Sequence, residues 1–210
     1  MMVLRSLGSV LCVLASVLFL SVSQASALVI DFNELAHDDF YHQVNPVTAD
    51  GYFFSNSQGT PYGLGVWGRN SSFQADPGFA AVFVNYGYTT TTMTELGGGS
   101  FDFNSIDLAD VYNTGVPSTI QFTFNYTGGG SVTQNVTLDG LVGLQTFLFN
   151  RVALDSVVWV TVANDNGWGQ FDNVNVNTNV GPAVPEPSTI LLLGAGLAGL
   201  GLWGRKRMKG

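Results

Sequence analysis

Cysteine is almost missing from this chain: Cys12 is the only one in 210 residues. It lies in an apolar stretch, Val10 to Leu20, that follows Arg5 and precedes the small residues Ala25-Ser26-Ala27. That order is the layout of a secretory signal peptide, with cleavage expected after Ala27. The large Leu11 before Cys12 argues against lipid attachment there. A mature chain starting at Leu28 then has no thiol, which excludes disulfides and cysteine nucleophiles. Its stability has to come from packing or from a bound ion.

Positive charge is nearly as scarce. Between Leu28 and Val184 there is no lysine, and only Arg69 and Arg151 stand against 14 acids, a net charge of −12. Such a surface repels nucleic acid and anionic polymers, both of which need basic patches. It suits divalent cations or neutral glycans, and it equally serves plain solubility. With no cysteine, no lysine and no Ser/His/Asp set, nucleophilic catalysis has few candidates. A pair of carboxylates for glycoside hydrolysis stays open as the least favoured reading.

Helical periodicity is also lacking outside the two ends. In its place the chain alternates apolar and polar residues with period two, rich in Phe, Val, Ile and Thr. The clearest runs are Leu28 to Asn33, Phe79 to Val84, Phe101 to Leu108, Thr119 to Tyr126, Ser131 to Leu138, Leu144 to Asn150, Val157 to Val162 and Gln170 to Val176. Gly97-Gly98-Gly99, Gly128-Gly129-Gly130 and Asp139-Gly140 read as turns between consecutive antiparallel strands. The pattern predicts an all-β domain over residues 28–180, a two-sheet antiparallel β-sandwich of jelly-roll type. Residues His37 to Trp67 read mainly as loop.

The far end carries the most specific signal. Val184-Pro185-Glu186-Pro187-Ser188 closes a stiff linker over 181–188, an apolar run occupies 189–204, and Arg205-Lys206-Arg207 begins the basic stub 205–210. Ile190 to Trp203 as a helix would be about 21 Å long, short for a bilayer core of about 30 Å, so tilt and snorkelling of the flanking cations would help it span. The basic stub orients it with everything before Pro185 facing out. Gly194-Ala195-Gly196-Leu197-Ala198-Gly199 matches a dinucleotide fingerprint by spacing, but only 11 residues follow it and none is acidic. The stretch reads as a membrane segment.

This Pro-Glu-Pro motif, apolar run and basic stub resemble the PEP-CTERM proteins. The resemblance implies export, signal peptidase processing at the start of the chain, and retention as an inner-membrane precursor facing the periplasm. Recognition of Pro185-Glu186-Pro187 by the protease exosortase would follow, with display at the cell surface or in an exopolysaccharide matrix.

Strands such as Val29-Ile30-Asp31-Phe32, Ser100-Phe101-Asp102-Phe103, Gln145-Thr146-Phe147 and Gln170-Phe171-Asp172-Asn173-Val174 resemble those of galactose-binding-like jelly rolls. In that fold class a calcium ion often bridges the first and last strands, which makes Asp31, Glu34 and Asp172 its matching ligands, with Asn173 or carbonyls completing the shell. The alternative is a row of solvent-facing acids at a strand edge.

Two further groups stand out. His37-Asp38-Asp39-Phe40-Tyr41-His42 holds both histidines of the chain. Two imidazoles and two carboxylates are zinc-type ligands, but on one strand His37 and His42 would face opposite sides, so a polar loop is expected. Trp67 and Trp168, with Tyr62, Tyr86 and Tyr88, lie in or near Gly-rich loops, where exposed rings can stack on sugars; burial in the core is the bland alternative. The expected function is a non-enzymatic surface module that binds glycans, or a structural surface protein without a small ligand.

Overall fold

The computed structural model describes residues 26–111, 115–163 and 169–178. All belong to one compact unit, Ala25–Asn179. The Val184 to Ser188 motif, the apolar run, the basic stub, Ala25 and Trp168 lie outside the described residues. Among those described, no helix is long and apolar enough to cross a membrane.

The described residues contain 12 strands and one short 3-10 turn over 33–35. In chain order the strands are β1 Ser26–Ile30, β2 Tyr41–Gln43, β3 Val47–Ala49, β4 Tyr52–Asn56, β5 Leu64–Trp67 and β6 Val82–Val84. They continue as β7 Thr91–Glu95, β8 Phe101–Asp110, β9 Thr119–Tyr126, β10 Ser131–Thr137, β11 Gln145–Ala163 and β12 Gly169–Thr178. Every pairing is antiparallel. The fold is all-β, as the alternation predicts.

The sheets are not two separate ladders. One continuous order, β2-β5-β6-β12-β8-β11-β7-β4-β3, joins nine of the strands, with β1 added on β12 and the β9–β10 hairpin on β11. The link is β11, 19 residues long. Its first half pairs with β8 and its second half lies between β7 and β9. The sequence splits this strand in two because alternation fails around Asn150-Arg151-Val152-Ala153. In the structure Asn150 and Ala153 take left-handed φ values of 50° and 55° and the register shifts on either side of Arg151. The irregularities bend the strand without ending it.

Rings from the two halves meet edge-on or tilted. Phe32, after β1, touches Phe54 of β4 at 5.2 Å and Phe171 of β12 at 5.5 Å. Trp159 of β11 meets Phe171 edge-on at 5.1 Å, and Phe103 of β8 lies 6.0 Å from Phe124 of β9. Neither β4 and β12 nor β8 and β9 share a ladder, so these contacts span two layers. T-shaped and offset ring pairs are the geometry that the aromatic quadrupole favours.

Turn chemistry is right at one glycine run and misleading at another. Gly128 to Gly130 closes the β9–β10 hairpin, with Ser131 opposite Asn125. Gly97 to Gly99 carries the chain from β7, which pairs with β4 and β11, to β8, which pairs with β11 and β12. It is a crossing between non-paired strands, held by the Gly99 amide donating to the Glu95 carboxylate at 2.7 Å.

Phe171 is fully buried and contacts rings from three other segments. Replacing it with alanine is expected to cost about 3–5 kcal/mol. A denaturant titration should show the midpoint falling, and an unchanged midpoint would contradict this packing.

Candidate functional site

The first and last strands pair directly, from Ser26 opposite Thr178 to Ile30 opposite Val174. Ala27 is inside this ladder, opposite Asn177, so cleavage after it would leave Leu28 to Ile30 paired. Asp31 follows the end of β1, and Asp172 sits on β12 with its side chain fully buried.

Two more carboxylates arrive from elsewhere. Asp107 of β8 is the register partner of Asp172, and it accepts hydrogen bonds from Thr146 Oγ1 at 2.6 Å and Asn173 Nδ2 at 3.0 Å. Asp76 is delivered by the loop after β5. Buried Gln170 on β12 grips that loop, donating to the Phe73 carbonyl at 2.6 Å and accepting from the Ala75 amide at 3.1 Å. Asp76 thereby comes near enough to Asp172 for the two carboxyls to influence each other.

Burial pushes the Asp172 carboxyl up to about 7, and the charges of Asp76 and Asp31 add to the rise. The amides of Asn173, at 2.8 Å, and Phe32 oppose it by donating to the carboxylate. Burial likewise raises Asp76. The Oδ2 of Asp172 is buried and has no hydrogen-bond partner.

A buried carboxylate oxygen without a donor, ringed by other carboxylates, is a donor set that fits a hard cation. The charges of Asp76 and Asp31 act on Asp172, which makes these three the acids to weigh for calcium. Glu34 lies apart from that electrostatic group and lines, with Asp31, Asp50 and Thr48, a cavity of about 260 Å³ beside β1. Neither Asp31, Glu34 and Asp172 nor Asp31, Asp76 and Asp172 close as a trio to within 4.8 Å; among the described residues the group that does is His37, Asp39 and His42.

The segment is not one strand with its histidines on opposite faces: His37 precedes β2 and His42 lies on it. Residues 38–40 form a bend before β2, and the two imidazoles stack with centroids 3.8 Å apart and planes 14° from parallel.

The aromatic candidates divide. Trp67 is 2% exposed and stacks on Phe83 at 4.6 Å, with Phe73 at 5.2 Å. Its indole is committed to a small core cluster with Val111 and offers no face to a sugar. Tyr62, Tyr86 and Tyr88 are 48%, 42% and 62% exposed. Leu64 pairs with Val84, and the Asn85 amide donates to the Gly63 carbonyl at 2.8 Å, so Tyr62 and Tyr86 come next on the two chains. Tyr88 has a left-handed φ of 64°, a conformation that costs a bulky residue of order 1–3 kcal/mol.

The described domain is thus an all-β antiparallel fold with an acidic seam where its end strands meet. The tail adds a second identity: residues 183–206 match the PEP-CTERM protein-sorting motif, so the chain carries that sorting signal. No curated protein matches the chain.

Among solved structures, a DUF4465 family protein from Bacteroides caccae is similar at 10% identity, covering 73% of this chain and 100% of that one, with a TM-score of 0.49. A variant of the family 29 carbohydrate-binding module CBM29-2, complexed with mannohexaose, shows 12% identity over 74% of this chain and 93% of that one, TM-score 0.42. A family 32 module from Clostridium perfringens, in complex with GalNAc-β-1,3-galactose, shows 18% identity over 44% and 68%, TM-score 0.34. At these scores the ligands are those proteins' own, and no site residue is carried across.

The acid pair makes stability fall as pH rises. Below about pH 4 Asp172 is protonated folded and unfolded. Between about 4 and 7 only the unfolded chain ionises there, which favours unfolding, and above the folded value the loss is complete. A rise from 3.8 to about 7 corresponds to roughly 4 kcal/mol. Asp172→Asn, which keeps an acceptor for both amides, should melt higher than the natural protein at pH 8 and differ little at pH 4. Equal melting of the two at pH 8 would contradict the assignment.

Proposed function

We propose that this protein is an exported surface module, without enzymatic activity, that binds neutral glycan through an exposed tyrosine cluster. The observation that carries the reading is the placement of Tyr62, Tyr86 and Tyr88. Three partly exposed phenol rings lie around the end of the β5–β6 ladder, among hydroxyl and amide groups. Ser57 Oγ accepts from the Thr90 amide, and Thr89 donates to the Tyr86 carbonyl. Stacking rings with adjacent hydrogen-bonding groups suit a sugar, which has apolar faces and a polar rim.

The position in the fold supports it. Val82 pairs with Phe171 and Phe83 with Gln170, so Tyr86 lies beyond the Gly169 end of β12. The chain leaves the domain at the other end, Thr178, about 30 Å away along an extended strand. The acidic surface favours neutral over anionic polymers.

In this reading signal peptidase acts after Ala27, the 189–204 segment holds the precursor in the inner membrane, and exosortase acts at Pro185-Glu186-Pro187. The domain then reaches the cell surface and an exopolysaccharide matrix. Calcium at Asp172, Asp76 and Asp31 would lock the end strands together and would favour ionised carboxylates; melting at pH 8 with calcium or EDTA tests this.

The alternative of a ligandless structural protein is favoured by the burial of Trp67 and Trp159. A hydrolase is favoured least. Its two carboxyls should face across a groove about 5–9 Å apart, whereas Asp172, whose carboxyl burial pushes up to about 7, is fully buried.

Two experiments separate these readings. Glu186→Ala should leave the precursor full length on a blot of exported protein, and normal processing of the variant would sink the exosortase step. Tyr62→Ala, Tyr86→Ala and Tyr88→Ala should each weaken retention by a neutral polysaccharide roughly fivefold, about 1 kcal/mol. Retention that survives all three changes would move the site elsewhere.

A further inference from the structure

We propose that His37, Asp39 and His42 form a binding site for a zinc-class divalent metal ion. One ligating atom from each lies within 4.8 Å of the other two. This is the spacing at which three donors share one ion, and the set joins two imidazoles to a carboxylate. Such ligands suit zinc and the late first-row metals. They do not suit calcium, which takes oxygen donors.

His37 is the strongest evidence. Its Nε2 faces the Val66 carbonyl at 3.2 Å. A carbonyl only accepts, so that nitrogen carries the proton and donates, leaving Nδ1 with a bare lone pair. Nδ1 is buried and has no hydrogen-bond partner. An imidazole pinned by one nitrogen to a backbone carbonyl, with the other nitrogen open, is how metal-ligating histidines are held. His42 Nε2 meets Asp39 Oδ2 at 2.9 Å, so the second imidazole and the carboxylate are already adjacent.

The loop that carries these residues is fixed by the chain beside it. The Gly68 amide donates to the Phe40 carbonyl at 3.0 Å and the Arg69 amide to the His37 carbonyl at 2.8 Å. Arg69 Nη2 donates to the Ala36 carbonyl at 3.1 Å. A Cβ at Gly68 would overlap the Asp39 carbonyl oxygen, so glycine there permits the close approach. The nearby guanidinium is engaged by Asp38, at 3.2 Å, which offsets its charge toward an incoming cation. Three protein ligands leave a fourth tetrahedral position for water or for a donor from outside the chain.

The test uses the full-length chain, free of any histidine tag and stripped of metal with a chelator. Titrated with Zn2+ it should bind one equivalent, and Co2+ in its place should give the visible ligand-field bands of a low-coordinate site. Calcium in excess should displace neither. His42→Ala and Asp39→Asn change exposed side chains, so they test the site without disturbing the core. Each should weaken zinc binding by more than about 100-fold, beyond the usual effect of losing an outer partner, while Asp38→Asn should retain it. Absence of saturable zinc binding, or binding that survives both His42→Ala and Asp39→Asn, would overturn the proposal.

Discussion

The structure depends on a wall of aromatic rings packed between two halves of one sheet. A domain without disulfides relies on packing to hold its layers together, and Phe32, Phe54, Phe103, Phe122, Phe124, Trp159 and Phe171 do this at the centre. Each fully buried ring is worth about 1.5–3 kcal/mol of transfer free energy. The rings can meet because β11 belongs to both layers, and its bulges let it bend where a straight strand would splay them. The candidate sites lie at the margins, at the acids beside the end strands and in the loops next to the short strands β2, β5 and β6.

Those loops are positioned by buried polar groups rather than by apolar packing. Gln170 and Gln74 are both buried and bond to backbone groups of the 67–81 segment. This explains how a stretch with little regular structure delivers Asp76 to Asp172. Hydrogen bonds of this kind are modest in net value but costly to leave unmade, so they fix geometry more than they add stability. Each of the two candidate metal groups has a buried polar atom without a donor or partner, Asp172 Oδ2 in one and His37 Nδ1 in the other. One group is all oxygen and the other mostly nitrogen, so they would select different ions.

Long strands with largely alternating residues were legible in the sequence. β8, β9, β10 and β12 lie where apolar and polar residues alternate over most of their length, and the pairing of β1 with β12 places Asp31 where its charge acts on Asp172. What stayed hidden depends on non-local geometry. β11 looks like two strands because bulged residues break the alternation, and Gly97 to Gly99 looks like a hairpin because a crossing uses the same turn residues. β2 to β5 are three to five residues long, too short to show a period. Asp76 and Asp107 have no local mark of their role, since only the fold brings them to Asp172. Trp67 and the tyrosines share similar Gly-rich surroundings, and burial separates them only once β5 is seen to be interior.

The central claim is that the acidic domain meets neutral sugar through rings rather than charge. Affinity electrophoresis of the full-length protein in gels containing neutral or anionic polysaccharides, at low and high salt, tests it most directly. Stacking predicts retardation by a neutral polysaccharide that is insensitive to salt, because no counterions are released. Retardation only by anionic polymers, or by no neutral polysaccharide at either salt concentration, would contradict the account.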